Sequence, residues 1–251
     1  MTAFAIEFRR DLVHGRCVAV SLPAAPAGSR ADAGDAPAVV PAAVLAQLPE
    51  AERDHARRLA PARQVTWVGG RLALRAALSD LGVDAAAMLS DDRGAPLLPP
   101  GTVGSISHKA HLAVALAAPD AGWSVGIDLE DLTAPQRRDI SRLVLTESER
   151  QAIASLEAPL RRHEVLARFA AKEAIYKAVD RFVRRYVSFH EVTLHRSADG
   201  GFHADLALRA ETDGPFDVEL AELSLPELSR PELIIATARV RPQLRDADQS
   251  R

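Results

Sequence analysis

Ser124–Asp131, reading SVGIDLED, limits how this chain can fold more than any other stretch. Side chains alternate across a strand with period two. Val125, Ile127 and Leu129 therefore share one face and call for a core, while Gly126, Asp128 and Glu130 share the other. Two like charges this close repel, and the arrangement becomes favourable if a cation sits between them. The spacing alone admits two readings. One is an exposed strand end with solvated acids. The other is a pair of hard oxygen ligands, the kind Mg²⁺ shares with substrate phosphates.

A strand that ends in acids is followed by a long amphipathic segment, LRRHEVLARFAAKEAIYKAVD, which reads as a helix. At about 100° per residue, Phe169, Glu173 and Lys177 share one of its faces. Glu173 and Lys177 are either an ordinary i,i+4 surface pair or a third carboxylate with an ammonium beside it for phosphate charge. Upstream, GSISH (Gly104–His108) reads as a short strand whose hydroxyls and imidazole can donate to phosphate oxygens, or as an ordinary turn.

The remaining pattern mixes both element types. VVPAAVLAQLPEAERDHARRLA and TWVGGRLALRAALSDLG read as helices; the second has Leu72, Leu74, Ala77, Leu78 and Leu81 as its apolar face and Gly82 as its stop. LAVALAA and WSVGIDLE read as a hairpin around PDAG. TESERQAIASL opens on a capping box, Thr146 and Glu149. EVTLHR, FHADLALRA, FDVELAEL and LIIATARV read as strands, Leu22–Ala43 as a loose surface loop, and the end of the chain as a polar tail. The order is helices then strands, twice over, in an α+β fold whose halves meet near residue 120.

Composition narrows the function classes. Of the 251 residues 47% are hydrophobic but only 4% aromatic, so aliphatic side chains and alanine fill the core. A metal-dependent phosphodiesterase or nuclease built on Asp128, Glu130 and Glu173 is an alternative reading; it wants a basic, aromatic-studded groove, and a net charge of −3 and few aromatics argue against it. No run suits a membrane span or secretory signal, and the single cysteine, Cys17, permits no intrachain disulfide. Cys17 reads as a small core residue, and the protein as cytoplasmic.

Taken together and in this order, RGAPLLPPGTVGSISH, SVGIDLE and FAAKEAIYK resemble the Sfp-type 4'-phosphopantetheinyl transferases. RQVTWVGGRLALRAAL resembles the arginine-bearing helix region of the enterobactin-synthase-type branch. The resemblance runs from Arg63 to Lys177. It implies a pseudo-dimer of two similar halves in one monomeric chain, residues 1–120 and 121–240 with a polar tail 241–251, and coenzyme A in the cleft between them. It implies that Asp128, Glu130 and Glu173 hold Mg²⁺ around the pyrophosphate of coenzyme A, with Asp128, Glu173 and Lys177 catalytic. It implies that Ser107 and His108 contact the coenzyme A phosphates, His108 the 3'-phosphate. Arg63 and Arg71 match basic positions near that phosphate, Arg93 a position beside the adenosine, and Lys172 and Lys177 the two lysines of the helical motif. The implied reaction moves 4'-phosphopantetheine onto a serine of an apo acyl or peptidyl carrier protein and releases 3',5'-ADP. A silent coenzyme A-binding interaction protein is the other reading; the presence of all three acids speaks against it. Arg161–Arg162 and Arg184–Arg185 are basic clusters suited to an acidic carrier helix. Phe169 stands where many members have Trp, and DRFVRRYVSFHEV lacks the Gly/Pro turn expected before the next strand.

Overall fold

The computed structural model describes residues 3–23, 40–109, 111–135, 138–198, 200–209, 215–224 and 232–243. Most of the expected loop at 22–43 and of the tail after 241 lies outside them. The chain forms two compact units, Met1–Ala121 with Val125–Leu129, and Gly122–Ser124 with Glu130–Arg251.

The first unit opens on two strands, β1 (Ile6–Leu12) and β2 (Gly15–Ser21), where the sequence pattern put helices first. β1 (IEFRRDL) is an edge strand; its charges are what an edge needs to discourage pairing with other chains, and they hide its apolar alternation. Short helices α1 (Ala42–Leu45) and α2 (Glu50–Arg57) precede the long α3 (Pro61–Asp80), then β3 (Thr102–Lys109) and β4 (Leu112–Pro119). The sheet order is β1-β2-β4-β3, all antiparallel, with Val18 opposite Ala115 and Ser107 opposite Val114.

Helix α3 packs on this sheet at very close range. A Cβ on Gly69 would lie 2.2 Å from a Leu22 methyl, and one on Gly70 2.8 Å from an Ile106 methyl. Ala73, Leu74, Ala77 and Leu78 are fully buried there against Val18, Val20, Ala115 and Ala117. Leu81, expected on the apolar face, instead sits at the C-cap and is 36% exposed. Gly82 (φ +76°) ends the helix as expected.

β4 and β5 (Ser124–Asp131) do not form the expected hairpin. Both edges of β4 are taken, by β2 and β3, so β5 belongs to a different sheet. The second unit holds β8 (Phe216–Ser224) and β9 (Leu233–Pro242), which pair antiparallel. The unit also holds α4 (Ser141–Val144), α5 (Glu147–Ile153), the long α6 (Ala158–Val183), a 3₁₀ turn at Phe189–Glu191, and the hairpin β6 (Val192–Arg196) and β7 (Phe202–Leu206). The capping box at α5 forms as expected, with Glu149 Oε2 accepting the Thr146 N–H at 2.7 Å. Helix α6 packs on β9 through Ala167, Ala170, Ala171, Ala174 and Ala178, facing Ile234, Ala236, Ala238 and Val240.

The chain leaves α6 without glycine or proline. Arg184 takes the left-handed conformation (φ 50°), and a second capping box, Ser188 with Glu191, starts the 3₁₀ turn. Each unit thus repeats one plan, an antiparallel sheet carrying one long helix, in the expected α+β class. Among the described residues no helix is long and apolar enough to cross a membrane.

Candidate active site

In the first unit, β3 sorts the motif GSISH by strand alternation. Val103, Ser105 and Ser107 are buried on one side; Ile106 joins the core under α3 on the other. His108 follows Ile106 to the α3 side, where its Nε2 lies 3.4 Å from Arg63 Nη1. Arg63 and His108, 45 residues apart, are thus brought together as two basic groups, with Arg63 exposed.

Ser105 and Ser107 face β5 instead. Ser105 Oγ accepts the Ile127 N–H at 3.2 Å, and Ser107 Oγ accepts the Leu129 N–H at 3.3 Å. The Ser107 hydroxyl donates to Asp128 Oδ1 at 2.7 Å. Two serine hydroxyls thereby do for β5 what ladder carbonyls do within a sheet. Ser107 and His108, paired by the resemblance as phosphate contacts, point to opposite sides, and Ser107 is engaged with Asp128.

Asp128 and Glu130, each only 6% exposed, are buried. The solvated-acid reading of SVGIDLED is therefore wrong, because both faces of β5 are covered. Burial of a carboxylate is costly unless donors or cations compensate it, which makes the Ser107 hydroxyl a necessary part of this strand rather than an ornament. Among the described residues no group of three or more His, Cys, Asp or Glu side chains is gathered as a metal ion would require.

Arg71 and Arg93 belong to one scaffold. Arg71 is 3% exposed, donates from Nε to the Met88 carbonyl at 2.6 Å and from Nη2 to Ser90 Oγ at 2.9 Å, and lies over the Trp67 ring at 4.6 Å. Burial pushes its guanidinium down to about 10, with Glu52 working the other way, so it stays charged at neutral pH. Glu52, fully buried, holds Arg75 at 2.7 Å and also accepts the Met88 N–H. These contacts fix the loop that follows α3. Farther along it, Asp91 accepts the N–H groups of Arg93 and Ala95, both at 2.9 Å, in a tight turn that sets the start of the Arg93 side chain. Sequence patterns assign Glu52 and Arg75 no role; nothing local separates them from the charged residues of a solvated helix.

In the second unit, α6 carries Glu173 and Lys177 four residues apart, both partly buried. Phe169 packs on Phe189 with ring centroids 5.5 Å apart. Lys172 behaves differently from its neighbours. It is 1% exposed, and its ammonium donates to Glu149 Oε2 at 2.6 Å, Val144 O at 2.8 Å and Phe189 O at 3.1 Å. An ammonium has three donors, and protein acceptors surround it on three sides. Burial holds the Lys172 amine below its ordinary 10.5, more than the Glu149 charge raises it. The sequence does contain a signal: Lys172 interrupts the stripe Val165, Phe169, Ile175, Val179 that α6 turns inward.

The basic clusters also have internal duties. Arg161 donates to the Leu156 carbonyl at 2.7 Å, Arg162 to the Ala134 carbonyl at 2.5 Å, and Arg185 to Glu191 at 2.7 Å. Burial works to raise Glu191, but Arg185 and the Ser188 and Arg209 N–H groups hold it at about 2.

Comparison with known proteins identifies the family. Residues 51–118 match the 4'-phosphopantetheinyl transferase N-terminal domain, and residues 124–238 match the 4'-phosphopantetheinyl transferase superfamily. The chain is 32% identical over 193 residues to the 4'-phosphopantetheinyl transferase Npt of Nocardia iowensis, covering 70% of this chain and 85% of that one. It is 31% identical over 172 residues to PptT of Mycobacterium tuberculosis, 68% and 74% of the two chains. Enterobactin synthase component D of Salmonella typhi is 33% identical over 126 residues, 50% and 52%. With its two family domains in order over more than half its length, the chain belongs to the 4'-phosphopantetheinyl transferase superfamily and is an enzyme of that kind.

Proposed function

We propose that this enzyme transfers the 4'-phosphopantetheine group of coenzyme A to a serine of an apo acyl or peptidyl carrier protein, in a Mg²⁺-dependent reaction that releases 3',5'-ADP. The observation that carries the reading is the pair of buried acids on β5, Asp128 and Glu130, with Ser107 holding the first at 2.7 Å. Buried like charges on one side of a strand are expensive, and a divalent cation is the partner that suits them. The donor set fits Mg²⁺, a hard ion that takes oxygen ligands. Mg²⁺ keeps several waters and completes its shell with one or two carboxylates and substrate phosphates rather than an all-protein cage. Asp128 and Glu130 would supply its protein carboxylates, and Glu173 is the third acid that the family resemblance assigns to it. When bound, the ion would neutralise the charge that gathers on the diphosphate during transfer.

The chain's own groups carry the remaining steps. The carrier serine oxygen bonds to the β-phosphorus of coenzyme A, the bond to the bridging diphosphate oxygen breaks, and its electron pair leaves with 3',5'-ADP. Glu173 accepts the serine proton. The Lys177 ammonium, one turn along the same face of α6, offsets charge on the leaving phosphate. Arg63 and His108, brought together at 3.4 Å, supply donors for the 3'-phosphate, and Arg93 supports the adenosine end. Arg71, Lys172 and Ser107 bind protein groups first and serve coenzyme A through the elements they hold. One chain carries both units of the fold, which supports a monomer that light scattering can check.

The test is to incubate the protein with coenzyme A, Mg²⁺ and an apo-carrier, and to weigh the carrier. The wild type adds one phosphopantetheine; Asp128→Ala and Glu173→Ala add none while keeping the wild-type circular dichroism spectrum. Arg63→Ala weakens coenzyme A about tenfold, the scale of one lost charge-assisted hydrogen bond, and leaves 3'-dephospho-coenzyme A nearly unchanged. An unmodified carrier with the wild type, or full modification by either acid variant, refutes the assignment.

A further inference from the structure

Helix α6 has an unusual problem of placement. Its contact with β9 is made by Ala167, Ala170, Ala171, Ala174 and Ala178, all at most 2% exposed, against a strand that is itself part alanine. Alanine has no rotamers and raises only shallow ridges, so a face of this kind fixes distance well and rotation or sliding poorly. Glu173 and Lys177 project from this same helix. Any roll of α6 moves both.

Leu166, Ile175 and Val179 flank the alanines in the same core, and one polar group on α6 adds a directional lock against such a roll. The Lys172 ammonium is held by the carbonyl that ends α4, by the Glu149 carboxylate of α5, and by the Phe189 carbonyl of the 3₁₀ turn. Glu149 is bound in turn: Oε2 accepts the Thr146 N–H at 2.7 Å and Oε1 the Leu194 N–H at 2.9 Å. Lys172 and Glu149 side chains are each 1% exposed. Five elements (α4, α5, α6, the 3₁₀ turn and β6) are thus tied to one ion pair. Buried ion pairs contribute little net stability, and their best-attested use is to fix register.

We propose that the Lys172–Glu149 pair is a positioning device that sets the rotation and axial register of α6, and with it Glu173 and Lys177, and that Lys172 does not itself contact coenzyme A. The capping box at Thr146 and Glu149 is the other half of the device: it makes the carboxylate a fixed part of α5 before Lys172 meets it. A helix face built from small residues gains a single seating in this way, because only one rotation brings the ammonium to three acceptors at once.

The inference rests on the transfer reading for its activity readout, and the wild-type carrier assay tests that reading separately. Three proteins decide the inference: Lys172→Met, Glu149→Gln, and the double variant. Each is measured well below its melting temperature for coenzyme A affinity by calorimetry, for kcat by carrier loading, and for amide exchange along 171–178. In Lys172→Met, coenzyme A affinity stays within about twofold while kcat falls about 100-fold, the scale of a reacting group displaced by about 1 Å. Exchange along 171–178 accelerates. The double variant, which leaves no stranded charge, melts above Lys172→Met yet regains none of the lost kcat. A tenfold or greater loss of coenzyme A affinity in Lys172→Met makes Lys172 a ligand and overturns the proposal. Recovery of kcat along with melting temperature in the double variant makes the pair merely structural and overturns it equally. Unchanged amide exchange along 171–178 in Lys172→Met overturns it whatever the activity.

Discussion

The two long helices, α3 and α6, meet the same difficulty with different chemistry. Both lie close to an antiparallel sheet through small residues, Gly69, Gly70 and Ala73 in one and a row of alanines in the other. Both bury a basic residue, Arg71 at 3% exposure and Lys172 at 1%. Arg71 spreads its charge over a planar fork that meets a carbonyl, a hydroxyl and the face of Trp67. Its hydrogen bonds go to neutral groups, and it pins a loop. Lys172 concentrates its charge at one nitrogen, meets Glu149 directly, and pins whole elements. The lesson is that a delocalised cation can be buried with its hydrogen bonds on neutral groups and a counter-charge, Glu52, only nearby, whereas a point charge takes its counter-charge in direct contact. A consequence is that removing the partner is far worse in the second unit.

That contrast sets the largest expected effect. Glu149→Ala strands the Lys172 ammonium, deletes half a capping box and frees the Leu194 N–H; it should destabilise the protein by about 3–5 kcal/mol, the range for breaking a buried pair. Ser90→Ala takes one neutral acceptor from Arg71 and should lose only about 1 kcal/mol. Urea midpoints measure both. Equal losses would erase the distinction between the two helices and leave the ion pair no special standing.

Alkaline pH separates the units by sign. In the first, Cys17 is fully buried on β2, and burial pushes its thiol from the ordinary 9.0 up to about 12, against a small opposing pull from Arg16. The folded state therefore holds the thiol proton more tightly than the unfolded chain. Its contribution is complete below pH 9 and is lost as pH rises toward 12; by pH 10.5 the loss is about 2 kcal/mol, at 1.36 kcal/mol per unit. In the second unit Lys172 is held below 10.5, so the unfolded chain binds the proton more tightly, and stability rises with pH until 10.5 is reached. Denaturant titrations from pH 8 to 10.5 should show the wild type falling relative to Cys17→Ala, by about 2 kcal/mol at pH 10.5. A wild-type fall that survives in Cys17→Ala would show that the thiol is not the group responsible.

Much of the fold is legible in the order of the amino acids. Helical periodicity marks α3 and α6, period-two alternation marks β5, and a short apolar run marks β4, because each carries apolar side chains that must be covered. The capping box at Thr146 is legible because its chemistry is local. The β1–β2 hairpin is not, since an edge strand carries its charges where an alternating core strand would show its pattern. The expected β4–β5 hairpin fails because PDAG suits a turn, and nothing in the two strands says that β4 already has two neighbours. At the site, the motifs mark positions but not directions. Ser107 and His108 are adjacent in sequence and opposite in space, and only the register of β3 against α3 and β5 decides which meets Arg63 and which meets Asp128. Lys172 and Lys177 read alike as motif lysines; what separates them is burial, which depends on the side that α6 turns to the alanine seam.

The smallest effect sharpens the comparison within Glu149 itself. This carboxylate both caps α5 and receives Lys172, so its loss in Glu149→Ala mixes the two. Thr146→Ala removes only the hydroxyl that accepts the Glu149 N–H at 3.4 Å, and leaves the Thr146 N–H bond to Glu149 and the Lys172 pair in place. An N-cap threonine is worth about 1 kcal/mol, and so long a bond belongs at the low end of that scale. Coenzyme A turnover should be untouched, since the rotation of α6 is still set. If Thr146→Ala were as damaging as Glu149→Ala, the cap would account for the whole effect and the seating of α6 would need no ion pair. A several-fold smaller loss assigns the difference to what the Glu149 carboxylate alone supplies, which is the Lys172 pair together with the bonds to the Thr146 and Leu194 N–H groups.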